Sequence, residues 1–297
     1  MKESKDDIET LVYQKQAKTN ELTQEKYLVT ALSDLSKSDT STALLAQIVD
    51  ISPMKFYFKK NIGQKYYQKF IVADNTDVIS CVHWNPETIS LTKQQIVIIK
   101  DFVLKGEETQ REIHCDNLTQ ISDIDLDLNQ HLLINSSAVY KKYKKWLYKN
   151  AVSIKKGIET NDKKCKIIGM VTQVTRISHY PACHRCLGKI QLPNQCKRCN
   201  IEVQPINYLF VSFILDDGTD AIRVTVFGST CKKLLALTNK ENELIRNLPI
   251  LELSDSALVA NKIQQLIGKI CVCIGIVKQN KFTKLSEMTA SEMYIMS

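Results

Sequence analysis

The sequence predicts a mainly β protein of two small five-stranded barrels, the second interrupted by a cysteine-rich insertion. A short N-terminal helical segment and a helical linker complete it. Three observations lead there. Short runs of β-branched and aromatic residues recur in two blocks, separated by turn residues. One strand–turn–strand pattern occurs twice. Two Cys-x-x-Cys pairs, nine residues apart, break the second block.

Composition bounds the rest. A chain of 297 residues, 44% hydrophobic and 24% charged, suffices for two domains with buried cores. No apolar run approaches the ~20 residues of a membrane helix, so no bilayer-spanning role is expected. The start, Met1 to Asp7, is too polar for a secretory signal. The ten cysteines are therefore expected reduced, as metal ligands or buried thiols. The net charge is +8, and residues 141–166 hold ten lysines against Glu159 and Asp162, a local excess equal to that of the whole chain. Such a segment reads either as a solvated linker or as a face for an anion.

Taken in order, residues 1–40 form the N-terminal segment. Ile8, Leu11 and Val12, then Tyr27, Leu28, Ala31 and Leu32, are spaced for two short amphipathic helices. Residues 33–42, rich in Ser, Thr and Asp, read as a linker. The first barrel occupies 41–125, with strands expected at 45–51, 66–74, 78–84, 95–104 and 110–115. Residues 126–160 turn helical, Val139, Tyr143, Trp146 and Leu147 sharing a face. The second barrel occupies 161–297, with strands at 166–176, 208–215, 220–227, 269–277 and 284–296, and a helical stretch across 229–266.

The repeat is the strongest organisational signal. Residues 70–85 align without a gap on 213–228, each copy a strand, an Asp-x-Thr-Asp turn and a strand ending on an aromatic. Alternation sends Ile222, Val224 and Val226 into a core and leaves Arg223, Thr225 and Phe227 outside. The equivalent outer set in the first copy is Ser80, Val82 and Trp84. A barrel wall with polar or basic residues beside one large aromatic is a platform on which nucleobases stack.

Cys183-His184-Arg185-Cys186 and Cys196-Lys197-Arg198-Cys199 place four thiolates for one tetrahedral ion, and Zn(2+) suits that donor set. Four sulfurs leave no open position, so the ion is structural. His179 and His184 are additional ligand candidates or surface residues. Cys271 and Cys273 read as core, and Cys81, Cys115, Cys165 and Cys231 as buried.

The stretch Tyr180-Pro181-Ala182-Cys183, the second cysteine pair, Tyr208 and the hairpin 213–227 resemble the zinc-containing OB-fold domain of replication protein A. The resemblance covers roughly 44–297 and is most specific over 180–235. It implies two OB-fold five-stranded barrels, the second with an inserted zinc ribbon between its first two strands. It implies a non-enzymatic single-stranded DNA-binding protein acting in replication, recombination and repair. It also implies base stacking on Trp84, Phe102 and Phe227, with Arg223 and Thr225 beside the strand. Lys55, Phe56, Lys59 and Lys60 then lie in a loop that clasps it. The counterpart of Phe102 falls near Gly275, so a second platform is missing or displaced there. With a single plain OB domain and no trimer-forming helix after the last strand, the layout is similar to the family's short archaeal members. Other replication or repair proteins, or further OB-fold subunits, are the expected partners. The expected location is cytoplasmic, at the nucleoid, for an archaeal protein and nuclear for a eukaryotic one.

Two other classes stay open on the residues alone. An OB fold also reads RNA, and oligo(dT) against oligo(U) separates the two. An enzyme would need a phosphate-cradling loop or catalytic motif, and none is present. The acids Asp123, Asp125 and Asp127 cluster as metal-binding carboxylates can, in a segment otherwise read as linker.

Overall fold

The computed structural model describes residues 29–35, 43–59, 63–84, 90–106, 111–123, 134–160, 162–190, 194–253 and 255–296. The helix expected around Ile8, and Lys60, Asp125 and Asp127, lie outside them. Two units divide the chain, Met1–Met54 with Tyr66–Trp146, and Lys55–Lys65 with Leu147–Ser297.

The first sheet comprises β1 (Leu44–Ile51), β2 (Lys55–Lys59), β3 (Gly63–Ala73), β4 (Val78–Trp84), β5 (Ile96–Lys100), β6 (Val103–Lys105), β7 (Glu112–Cys115) and β8 (Gln120–Asp123). Its path is β6-β7-β4-β3-β1-β5-β8, with β2 also on β3. The strand expected over 95–104 is broken. β5 pairs with β1 and β6 with β7, and Asp101, at φ 56°, turns the chain between them. One strand serving both ends of the path must bend, and aspartate tolerates the left-handed conformation the bend needs. The two halves curl the sheet into a barrel. Within it, Leu44, Ile48, Phe70, Val72, Val97, Ile99 and Ile113 form the core. Residues 55–59, expected in a loop, are strand.

The second barrel is closed, in the order β12 (Pro205–Asp216), β13 (Ala221–Phe227), β15 (Ser286–Met296), β14 (Ile270–Gln279), β9 (Lys164–Cys183). Its third and fifth strands, β13 and β15, pair parallel, as β4 and β7 do in the first unit. That shared strand order is the OB fold, used twice. The ribbon strands β10 (Gln195–Cys196) and β11 (Ile201–Glu202) sit between β9 and β12 in sequence. Alternate residues Leu209, Val211, Phe213 and Leu215 of β12 fill the core with Ile222, Val224 and Val226 of β13. Gly275 stands where the β14–β15 ladder slips by one residue; a Cβ there would lie 2.1 Å from the Thr289 carbonyl oxygen. No aromatic can occupy that position, which is why the second barrel lacks a counterpart to Phe102.

Helices connect these strands: α1 (Ser136–Tyr148), α2 (Ile154–Glu159), α3 (Ser229–Leu234), α4 (Asn239–Asn247), α5 (Ile250–Leu253) and α6 (Ala257–Leu266). Asn135 caps α1, its Oδ1 accepting from the Ser137 and Ala138 N–H groups at 3.0 and 3.1 Å. Thr238 and Glu241 form a reciprocal capping box at α4. The helical stretch over 229–266 is thus four helices, with Pro249 between α4 and α5.

The repeat extends further than the hairpin. In the second barrel Asp217 Oδ1 accepts from the N–H and hydroxyl of Thr219 at 2.9 and 2.6 Å, and its Oδ2 accepts from the N–H of Ile154 at 2.7 Å. In the first, Asp74 Oδ1 accepts from the N–H and hydroxyl of Thr76 at 2.7 and 2.6 Å, and Oδ2 from the N–H of Leu32 at 2.8 Å. Just upstream, Val29 bridges Ala43 and Val152 bridges Ile167, both parallel. Each barrel is therefore latched by the segment leading into it. Of the helix expected around Tyr27, Leu28, Ala31 and Leu32, the first two residues lie outside the described ones; the rest is corrected, since Val29 is in a bridge and Leu32–Asp34 form a single 3₁₀ turn.

Burial tends to raise the Asp217 carboxyl pKa, but the donors of Thr219, Ile154 and Asp220 outweigh it and hold the group below its ordinary range. A depressed carboxylate stabilises the fold above its unfolded pKa, about 3.9, and that contribution is lost as pH falls through the folded value. Asp217→Asn is expected to lose about 1–3 kcal/mol in urea unfolding at pH 7. The difference from wild type should shrink as the pH is lowered below about 4.

Candidate metal centre and nucleic-acid interface

The β9–β12 ladder runs from Met170↔Asp216 to Cys183↔Pro205, well past the barrel wall. The first knuckle begins on its last residue. The Arg185 N–H donates to Cys183 Sγ and the Cys199 N–H to Cys196 Sγ, both at 3.4 Å. The residue after each knuckle is left-handed, Leu187 at φ 58° and Asn200 at φ 53°. Two turns of one geometry thus face each other, with Ile190 and Val203 packed beneath. The four sulfurs lie within 4.8 Å of one another, Cys186 and Cys196 at 3.5 Å. A tetrahedron with bonds of about 2.3 Å has edges of about 3.8 Å, so the spacing fits one ion. Burial opposes ionisation of Cys196, yet N–H donors of Cys199 and Arg198 help draw its thiol down to about 7. The four cysteines can hold a metal ion, and the donor set is compatible with zinc.

Neither histidine joins them. His179 is buried, its Nε2 donating to the Leu248 carbonyl at 2.8 Å, which ties β9 to the end of α4. His184 is exposed. Arg185, Lys189, Lys197 and Arg198 are exposed on the ribbon.

Next to the ribbon, the outer face of the barrel carries four aromatic rings. Tyr180 of β9 lies opposite Tyr208 of β12, and Phe210 opposite Phe227 of β13. Tyr208 stacks parallel to Phe227, with centroids 6.5 Å apart and planes at 6°. Tyr180 meets Tyr208 and Phe227 edge-on, at 5.8 and 6.4 Å. The Arg176 guanidinium sits 5.6 Å over the Phe210 ring. Further along the same face, Ser212 and Thr225 hydroxyls bond at 2.8 Å, and exposed Arg223 pairs with Glu287 at 3.3 Å. Arg223, Thr225 and Phe227 face outward as alternation predicts. Tyr208 and Phe210 were not singled out as candidate site residues from the sequence, although they alternate with core Leu209 and Val211.

On the first barrel Trp84 is half-buried. Its Nε1–H donates to His114 Nδ1 at 3.3 Å, and its ring lies 5.5 Å from Tyr67. Val82, expected on the exposed face, is buried at 3%. Phe102, expected as a stacking platform, is 5% exposed and packs in the core, because the bend at Asp101 turns it inward. A ring with that little surface offers a base nothing to stack on. Lys55 and Phe56 are half-buried on β2, and Lys59 ends that strand.

No family model and no curated protein matches the chain. Among solved structures, a replication protein A heterotrimer bound to ssDNA is 12% identical, over 91% of this chain and 70% of that one, at a TM-score of 0.40. The second OB-fold domain of replication protein A from Methanococcus maripaludis is 23% identical, over 34% of this chain and 98% of its own, at 0.28. A murine DNA-binding protein bound to dsDNA is 9% identical, over 86% and 95%, at 0.36. At these identities and scores, function has to be read from the chain's own side chains.

Two outcomes are expected. The purified protein should carry one metal ion per chain, and Cys196→Ser should lose it and lower the Tm, since such sites are coupled to folding; unchanged metal content in atomic absorption contradicts the site. An indole nitrogen only donates, so His114 Nδ1 must be the unprotonated acceptor. Burial, then Lys105 and Lys69, lower the His114 pKa against an opposing Glu112. His114 is therefore neutral at pH 7. Acidification below the ordinary value of about 6.5 should protonate Nδ1, release the indole and red-shift Trp84 emission. His114→Ala, in a Trp146→Phe background, should abolish that transition.

Proposed function

We propose that the chain is a non-enzymatic single-stranded nucleic-acid-binding protein with DNA as its ligand. The observation that carries this reading is the outward aromatic cluster of Tyr180, Tyr208, Phe210 and Phe227, beside a basic four-cysteine ribbon. Bases stack on exposed ring faces irrespective of sequence, and cations along the same wall follow the phosphates. Trp84 supplies the corresponding platform on the first barrel. The ribbon's ion, read as zinc, performs no reaction. It fixes two turns so that Arg185, Lys189, Lys197 and Arg198 stay beside the aromatic face.

The finer reading is a protein that coats and protects ssDNA during replication, recombination and repair, in the manner of replication protein A of the short archaeal type. Repair proteins or further OB-fold subunits are its proposed partners, at the nucleoid in an archaeal cytoplasm or in a eukaryotic nucleus. That part follows from the sequence resemblance and from the proposed site.

Fluorescence titration with oligo(dT), oligo(U) and duplex DNA tests it. Phe227→Ala and Phe210→Ala are each expected to weaken oligo(dT) binding by about 5- to 150-fold, equivalent to ~1–3 kcal/mol per stacked base, with the Tm little changed. A preference for oligo(U) assigns the protein to RNA. Binding to duplex alone overturns the stacking mechanism.

A further inference from the structure

Helix α1 and the turn after it carry an unpaired basic face that the stacking mechanism does not use. No acidic residue lies between Asp127 and Glu159, while Lys141, Lys142, Lys144, Lys145, Lys149, Lys155 and Lys156 fall in that interval. Two of these have internal work. Lys142 Nζ donates to the Thr76 carbonyl at 2.7 Å, and Lys144 lies 4.8 Å over the Tyr140 ring. Lys141, Lys145, Lys149, Lys155 and Lys156 are exposed. Among the described residues, the ion pairs engage Lys69, Lys93, Lys164, Lys262 and Lys278, and none of these five.

The opposite side of the helix is committed to packing. Val139 and Leu147 are 1% and 3% exposed, with Tyr143 stacked on Trp146 at 6.3 Å. Rotation of the helix cannot hide the lysines. Lys141 and Lys145 stand four residues apart, about 6 Å along the axis, and Lys149 follows in the turn after the helix. Like charges at that spacing destabilise a helix. The C-terminal dipole offsets this for the last turn but not for Lys141. A sequence that keeps such a row, with no acid to relieve it, suits a polyanion that relieves it on binding. A membrane surface would need exposed aliphatic side chains on the same face, and those of α1, Val139 and Leu147, are turned inward. Tyr148, 53% exposed among the lysines, adds a ring of the kind that accompanies phosphate contacts to single strands.

We infer that the Lys141–Lys145–Lys149 row is a third nucleic-acid contact, binding backbone phosphates and no bases. It rests on the reading of the chain as a single-strand binder, and it adds a site independent of both aromatic platforms.

The test is the salt dependence of oligo(dT) binding by the full chain. In the triple variant Lys141→Gln, Lys145→Gln, Lys149→Gln, the slope of log K against log salt should fall by about 2, at ~0.7 per phosphate contact on single strands. Its Tm should hold or rise, since a repulsive row has been removed. Phe227→Ala should lower affinity at every salt concentration and leave the slope unchanged. A triple variant with wild-type slope and affinity overturns the inference while the stacking reading stands. Lysine-dependent capture of poly-glutamate with an unchanged DNA slope reassigns the face to an acidic protein and overturns it as well. A wild-type chain that does not bind oligo(dT) overturns both readings.

Discussion

The ladder between β9 and β12 is the constraint on which the rest of the second unit depends. Its inward residues close the barrel core, its outward residues present Tyr180, Tyr208 and Phe210, and its last pair delivers Cys183 to the metal centre. Register shifts opposite Ser212/Phe213 and Ile214/Leu215 let the long hairpin bend with the barrel while keeping the faces in order. A slip of one residue would send the rings inward and the core leucines out. The cysteine cluster and the aromatic face are therefore mechanically one object: whatever pins the far end of the hairpin also holds the register of the rings midway along it.

The two barrels hold their strand-end aromatics with different supports. Trp84 and Phe227 end equivalent strands, yet Phe227 belongs to a four-ring cluster held by packing, whereas Trp84 lies between the Tyr67 and His114 rings and donates a hydrogen bond to His114. The Trp84 ring is thereby linked to a titratable imidazole through that bond. Its surroundings are expected to change with pH, a property that one fold used twice does not by itself confer.

Much of this was legible in the residues. The repeat, the facing of Arg223, Thr225 and Phe227, and the cysteine spacing all rest on local periodicity, which a sequence records directly. The misses share a cause. Phe102 reads as a strand residue because nothing in 95–104 announces that the strand must serve two partners, and the bend at Asp101 is a demand of barrel closure. Tyr208 and Phe210 sit in a run apolar on both faces, so hydrophobicity alone hides which rings point out. Leu32 and Ile154 contribute to the latches through backbone N–H groups, which every non-proline residue possesses, so no side chain could mark them.

That latch changes where a module begins. Asp217 is satisfied by a residue ten positions before β9, and Asp74 by one twelve positions before β1. The repeated piece is therefore barrel plus incoming strap, and the connecting chain from Leu147 onward belongs with the second barrel. A fragment cut at the first visible strand would leave Asp217 Oδ2 without its Ile154 donor, whereas one that starts upstream of Val152 keeps its fastening intact. Modular exchange of such barrels has its natural seam before the strap, not at the sheet.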